Sequence, residues 1–489
     1  MPVPMEMAGQ WGGRIARIRR LRIPSTPVSR LLDPVSQKER RAAISLAGIF
    51  GLRMLGMFLI LPVFALYAKT LPGGESHTLV GLALGMYGLT QAALMIPFGM
   101  ASDRLGRKPV IIVGLVIFAL GSFVAAYADT LAGVILGRAL QGAGAISAAV
   151  TALLADLTRE EKRTQAMAMI GSTIGLAFAF SLAAGPAFYR WIGIPGIFAM
   201  TGVLALLAIL VIKYITPDPG PTAFHSDAEA NPARLGDVLR NPELLRLNWG
   251  IFALHAAQMA MFVVVPFALV NGGLDGEHHW QVYLPVLLLS FALMVPAIIY
   301  GEKRGELKRV FVSAVALMFA AQMGLAFTMD LFWGVVAALF AYFVAFNILE
   351  ATLPSLISKI APPEAKGTAM GVYNTSQAFG LFFGGLAGGW LAQHHGFGVV
   401  FAFCAGLMLV WLLLAARMVP PPRVRTQMFH VGPISEENTR RLLARLPVFA
   451  GVEAVTVLPE EGAVLLKVAQ TGWDEEGVRH LLSQISEGG

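Results

Sequence analysis

Four ionisable residues stand inside strongly apolar stretches: Arg53, Arg138, His255 and Glu350. A charge at the centre of a bilayer costs about 3 kcal/mol on insertion scales and more in simulations, so a charge kept there calls for a function. Glu350 and His255 can titrate. Desolvation and a neighbouring charge can swing such a group between its two protonation states, which is what carrying a proton requires. Arg53 and Arg138 hold their charge and can only modulate a carboxylate. A fixed ion pair or a helix–helix hydrogen bond is the alternative reading for each. No carboxylate stands near the middle of the stretches that hold Arg53 and Arg138. Amides are set among the same stretches: Gln91, Gln258, Gln322, Asn347, Asn374 and Gln377. With Met54, Met57, Phe58, Met261, Phe262 and Tyr373 as apolar wall, they suit a cavity that re-packs around varied small molecules.

The elements that must hold these residues are membrane spans. Of 489 residues, 56% are hydrophobic and 14% charged, where a soluble domain carries about a quarter charged. A bilayer core needs roughly 20 apolar residues per helix. Such runs are expected near 43–68, 79–101, 109–127, 132–154, 165–188, 194–215, 247–270, 280–300, 309–328, 331–354, 367–392 and 396–418. The fold class is therefore an all-α membrane protein of twelve spans. Lys and Arg gather in alternate connections, such as Arg104/Arg107/Lys108, Arg159/Lys162/Arg163 and Lys303/Arg304/Lys308/Arg309, so both termini are expected to be cytoplasmic. The net charge of +7 follows from this pattern and does not form the clustered basic face that nucleic acid needs. Residues 1–41 read as a basic cytoplasmic leader without the apolar core of a signal peptide; Trp11, Ile15, Ile18 and Leu21 keep a helical spacing within it. The single cysteine, Cys404, excludes an internal disulfide and a cysteine metal cluster. Neither a metal site nor a cofactor is expected beyond a proton gradient as driving force. Nor is an enzyme: the sequence has no phosphate-binding glycine loop and no nucleophile–base constellation.

The spans fall into two related halves. Gly48-Ile-Phe-Gly-Leu-Arg53 is matched by Gly250-Ile-Phe-Ala-Leu-His255, and Ala93-Leu-Met-Ile-Pro97 by Ala292-Leu-Met-Val-Pro296. Arg163-Thr-Gln-Ala-Met167 is matched by Lys366-Gly-Thr-Ala-Met370. Three matches in one order at an offset of about 200 residues indicate a duplication. An even number of spans per repeat makes the halves parallel, and such halves rock about a midplane site. The expected organisation is a six-helix bundle over 42–215, a Pro-rich linker over 216–245, a second bundle over 246–418 and a small domain over 424–487.

After the second span comes Gly99-Met-Ala-Ser-Asp103-Arg104-Leu-Gly106-Arg107-Lys108. This resembles the signature loop of the major facilitator superfamily. Gly99 would permit close helix contact and Gly106 a tight turn. Asp103 could face the positive end of a neighbouring helix, that of span eleven. Arg104 and Arg107 could pair with Asp156. Arg138-Ala-Leu-Gln141-Gly142-Ala-Gly144 in span four is similar to the family's second motif. Gly171, Gly175, Gly185 and Pro186 in span five follow its antiporter motif only in part. Phe346-Asn347-Ile-Leu-Glu350 and Lys366-Gly-Thr-Ala-Met-Gly371 look like the YajR-type, drug:proton antiporter-like branch. The resemblance covers about 40–418. It implies a proton-coupled transporter in the bacterial inner membrane that exports small amphiphilic compounds. Uptake or exchange of a sugar or other metabolite is the second expectation, and a membrane sensor signalling through its C-terminal domain the third.

Beyond Pro420 the composition turns polar. Val424–Val431, a helix capped by Ser435, a hairpin of 452–458 and 463–468, and a helix with Val478, Leu481, Leu482 and Ile485 give the order βαββα. That is a ferredoxin-like domain short of its last strand, resembling heavy-metal-associated modules but without their cysteine pair. His430 and His480 alone do not make a metal site. Self-association or a regulatory ligand is the expected use of this domain.

Overall fold

The computed structural model describes residues 36–219, 235–362, 365–420, 424–432, 434–459, 462–469 and 472–487. Most of the leader and the centre of the linker lie outside the described residues. Among those described, ten segments are long and apolar enough to cross a membrane. One of them covers two spans: the run Glu160–Leu210 is divided at Gly193 (φ 64°, ψ 177°), which separates span five from span six. The helix Lys366–His395 adds span eleven. Its glycines and amides lower its hydropathy, yet it packs at the centre of the molecule. Twelve spans result.

Span one is the helix Gln37–Phe58, opened by a capping box between Ser36 and Glu39. The expected continuous helix to residue 68 breaks at Phe58, and a short helix Phe64–Ala68 follows. Pro62 is the reason: it lacks an N–H and its ring meets the carbonyl four residues back, that of Phe58. Span two is His77–Leu105, span three Arg107–Ala126. Span four is also interrupted, as Leu131–Ala143 and Ser147–Asp156. The break follows Gly142, whose added Cβ would lie 2.1 Å from the Tyr87 carbonyl oxygen, so backbone meets backbone there. Span six ends in a π-helical turn, Val211–Ile215. A short helix, Leu235–Arg240, lies within the expected linker. Spans seven, eight and nine are Pro242–Asn271, Trp280–Arg304 and Leu307–Thr328. Spans ten and twelve are Phe332–Ile360 and Phe397–Ala416.

Span eleven holds the halves together. A Cβ on Gly384 would lie 2.0 Å from the Ala256 oxygen of span seven, and one on Gly385 2.4 Å from the Gly81 oxygen of span two. Small residues on two faces let one helix touch two neighbours backbone to backbone. The seam continues to the end of the molecule opposite the basic loops. There Ser76 Oγ donates to Gln393 Oε1 at 2.8 Å, Lys69 Nζ lies 4.1 Å from the Phe267 ring centroid, and Arg190 pairs with Glu277 at 3.5 Å. These contacts join the halves and close that end.

The small domain has the βαββα order: β1 Val424–His430, a helix Glu436–Arg445, β2 Val452–Leu458, β3 Ala463–Ala469 and a helix Glu475–Glu487. The sheet is antiparallel in the order β1-β3-β2. Leu442, Leu446, Val464, Leu466, Val478 and Leu482 form its core. Lys467 on β3 donates to the carbonyls of Lys359 and Ala361, at 3.2 and 2.9 Å, so the domain sits on the last turn of span ten.

Candidate functional site

Span ten runs to Ile360, not to about residue 354, so Glu350 stands ten residues from its end, about 15 Å at helical rise. Pro354, where the expected span ends, interrupts the bonding pattern without ending the helix. Pro354 offers no N–H to the carbonyl four residues back, which belongs to Glu350. The Glu350 side chain keeps 32% exposure while His255 keeps 4%. Gln377 of span eleven joins them: its Nε2 lies 2.8 Å from His255 Nε2 and donates to Glu350 Oε1 at a long 3.5 Å. His255 Nδ1 lies 3.2 Å from the Ile251 oxygen. A carbonyl partner on Nδ1 and an amide donor on Nε2 assign the neutral, Nδ1-protonated ring. His255 Nε2 is 3.9 Å from Glu350 Oε2, an atom buried without a protein hydrogen-bond partner. The hydroxyls of Tyr342 and Tyr373 are likewise buried and unpartnered, and both rings lie within electrostatic reach of Glu350. Three spans of the second half thus gather one carboxyl, one imidazole, one amide and two phenols.

An aromatic chain ties this cluster to the first half. Phe58 of span one meets Phe178 of span five at 4.9 Å, Phe178 meets Phe346 of span ten at 5.3 Å, and Phe346 meets His255 at 6.0 Å between ring centroids. Sequence reasoning named Phe58 for the cavity wall and Phe346 only within a family-like stretch, and it passed over Phe178 and Tyr342. Aromatics are common in any span, and only the helix register tells lipid-facing rings from these.

Other predicted residues take different places. Arg53 and Arg138 are buried within the first half, each over the Tyr87 ring, at 5.6 and 4.9 Å from its centroid. Arg53 Nη1 donates to Ser147 Oγ at 2.7 Å, across the break in span four. Arg138 Nη1 donates to Gln141 Oε1 at 2.9 Å, and Gln141 Nε2 to Ser122 Oγ at 2.8 Å. Neither arginine is bonded to Glu350; they organise the first half. Asn347 Nδ2 donates to Ser290 Oγ of span eight at 2.8 Å, and Phe262 meets Tyr283 of the same span at 6.4 Å. Gln258 and Phe262 are fully buried, Met57 nearly so, and Gln91 and Asn374 half-buried.

The signature loop forms a network. Arg107, 2% exposed, donates to Asp156 Oδ2 at 3.1 Å and to Ser102 Oγ at 3.0 Å, and also pairs with Asp103. Asp103 keeps 47% exposure and uses its carboxylate on Arg107. Arg104 is exposed. Gly106 has φ +93°, the conformation its turn needs. A Cβ on Gly99 would make an ordinary 3.5 Å contact with Ala148, so Gly99 is not compelled by packing. In span five, Gly185 is: its Cβ would lie 2.6 Å from the Leu59 oxygen, beside Pro62, at the break in span one. Gly171 and Gly175 would meet nothing, and Pro186 is accommodated inside the helix.

The family model described as Major Facilitator Superfamily matches residues 46–385, with a second, overlapping match at 287–458. The chain is 44% identical over 433 residues to the inner membrane transport protein YajR of Escherichia coli (strain K12), covering 88% of this chain and 94% of that protein. It is 26% identical to the multidrug resistance protein MdtH of Aeromonas hydrophila, over 78% of this chain and 93% of that one. Among solved structures, a bacterial homologue of the human lysosomal transporter Spinster, inward-facing and occupied, superposes with a TM-score of 0.60 at 14% identity, over 79% of this chain and 98% of that chain. Signature loop, duplicated six-span halves and matched family model agree: the chain is a multi-pass membrane transporter belonging to the major facilitator superfamily.

Proposed function

We propose that this transporter is proton-coupled, that Glu350 carries the proton, and that it exports small amphiphilic compounds by alternating access. The observation that carries the reading is the Glu350–Gln377–His255 cluster: a lone, partly exposed carboxyl, one oxygen held only by a long bond from Gln377 and the other buried and unpartnered, beside a neutral imidazole. A carboxyl with no fixed counter-ion can be charged in one state and neutral in another, and a proton drives transport only if its affinity differs between states. The cluster spans helices seven, ten and eleven. Span eleven also touches span two, so the rocking that opens the closed seam must disturb Gln377. The aromatic chain from Phe58 to His255 offers an apolar, re-packable wall for a flat or greasy substrate. The name of MdtH is consistent with drug export. The basic loops favour cytoplasmic termini; on that reading the closed seam faces outward and Glu350 is reached from inside. The test is a screen of dyes and metabolites in proteoliposomes under an imposed pH gradient. Substrate movement that follows the gradient's direction supports the reading; movement indifferent to it rejects proton coupling.

A further inference from the structure

A cleft of about 580 Å³ opens on the outside of the first half, between the start of span one and the end of span six. It does not belong to the Glu350 site. Arg40 and Arg41 stand at one end, and Ile44, Gly48, Val211 and Ile215 continue it. We propose that this cleft binds an anionic phospholipid, with one acyl chain along the slot and the phosphate on Arg40 and Arg41.

Arg41, Ile44 and Gly48 lie on one helix face, at i, i+3 and i+7. The distance from Arg41 to Gly48 is about 10 Å at helical rise, the length of a substantial part of an acyl chain. Ile44 and Gly48 are exposed although they are apolar, which suits a lipid-facing slot. Gly48 is not a packing glycine: a Cβ there would meet nothing within 4 Å. Its missing side chain instead deepens the slot opposite the π-helical turn Val211–Ile215. That turn carries the far wall, and its Tyr214 carbonyl accepts from Arg41 Nη2 at 3.3 Å, which holds the guanidinium beside the cleft. The lining includes two cations and no carboxylate. The nearest acidic neighbours on these elements are otherwise engaged: Glu39 with Arg159 and Asp218 with Lys108. Charge complementarity therefore asks for an anion with an apolar tail. The leader has the same net sign as the cleft, since Arg14, Arg17, Arg19, Arg20, Arg22 and Arg30 outnumber Glu6 and Asp33, which disfavours it as the occupant. Arginine also suits a phosphate better than a point charge would, because its fork donates two parallel bonds.

The test is native mass spectrometry of the full chain in mild detergent with phosphatidylglycerol, set against phosphatidylcholine of identical acyl chains. Phosphatidylglycerol should bind about tenfold more tightly, and R40Q/R41Q, both at the surface, should bring it down to the phosphatidylcholine level. G48L, which fills the slot, should weaken both lipids while leaving the two arginines in place. Equal binding of the two lipids by the wild type overturns the proposal, as does undiminished phosphatidylglycerol binding by R40Q/R41Q. Displacement of phosphatidylglycerol by inorganic phosphate alone would also overturn it, since the site would then be one for a free anion.

Discussion

The seam between spans two and eleven makes a quantitative claim about the transport cycle. In Gly385→Val, the new Cβ would lie 2.4 Å from the Gly81 oxygen and 3.1 Å from the Gly85 nitrogen. Both are backbone atoms, so no rotamer change relieves the contact. Overpacking of this kind costs about 1–3 kcal/mol. The cost falls only on the state in which the seam is closed, so the populations should shift about 5–150-fold toward the state in which it is open. Ser76 and Gln393, bonded at 2.8 Å across the seam, supply the readout. In a Cys404→Ser background, S76C/Q393C should cross-link rapidly, and adding G385V should slow cross-linking in proportion to the lost population. Gly385→Ala should give a smaller effect of the same sign. If correctly inserted, monodisperse G385V cross-links at the starting rate, the seam does not govern the equilibrium.

Lys467→Met removes the donor to the Lys359 and Ala361 carbonyls; at about 1.5–3 kcal/mol for a charged donor, the C-terminal domain should lift off span ten, read as lost energy transfer between labels on the two. Burial, and then nearby Lys366, hold the Lys467 ammonium below the ordinary lysine value. The undocked domain then binds more protons between that lowered value and the ordinary one, so docking should strengthen as pH rises through that alkaline window. Asp156→Asn weakens a pair whose side chains are 2% and 3% exposed and should lower stability by about 1–3 kcal/mol, seen as a lower melting midpoint in detergent, with Asp103 still on Arg107. Arg138→Lys cannot reproduce a fork that meets Gln141 Oε1 and the Ala83 and Leu84 carbonyls; it should melt earlier than wild type, and an unchanged midpoint would show that the fork contributes nothing.

What the sequence makes legible is what composition and spacing force. A chain with so few charges must span a membrane, and the run from Gly99 to Lys108 has no other reading as coherent as the signature loop. Arg107 meets Asp156 as expected because both sit at helix ends on the same side of the bilayer. Glu350 and His255 could be picked out because a charge in lipid is costly wherever it points. The helix breaks after Phe58 and Ala143 were not anticipated, although Pro62 and Gly142 cause them, since proline and glycine are often carried inside spans. Phe178 and the inward face of Phe346 were invisible for a related reason: an apolar residue in an apolar helix has no pattern to mark its face. The contact of Lys467 with the carbonyls of span ten has no sequence signal, because the acceptors are backbone.

The account turns on Glu350, and one comparison tests it. Glu350→Gln keeps the volume and can still bond Gln377, but has no titratable proton to release and take up. In the same proteoliposomes, substrate flux driven by a pH gradient and substrate exchange without one are measured for wild type and mutant. The expected result is that E350Q loses gradient-driven flux and retains exchange. Gradient-driven flux at the wild-type level would contradict the account and make Glu350 a structural residue.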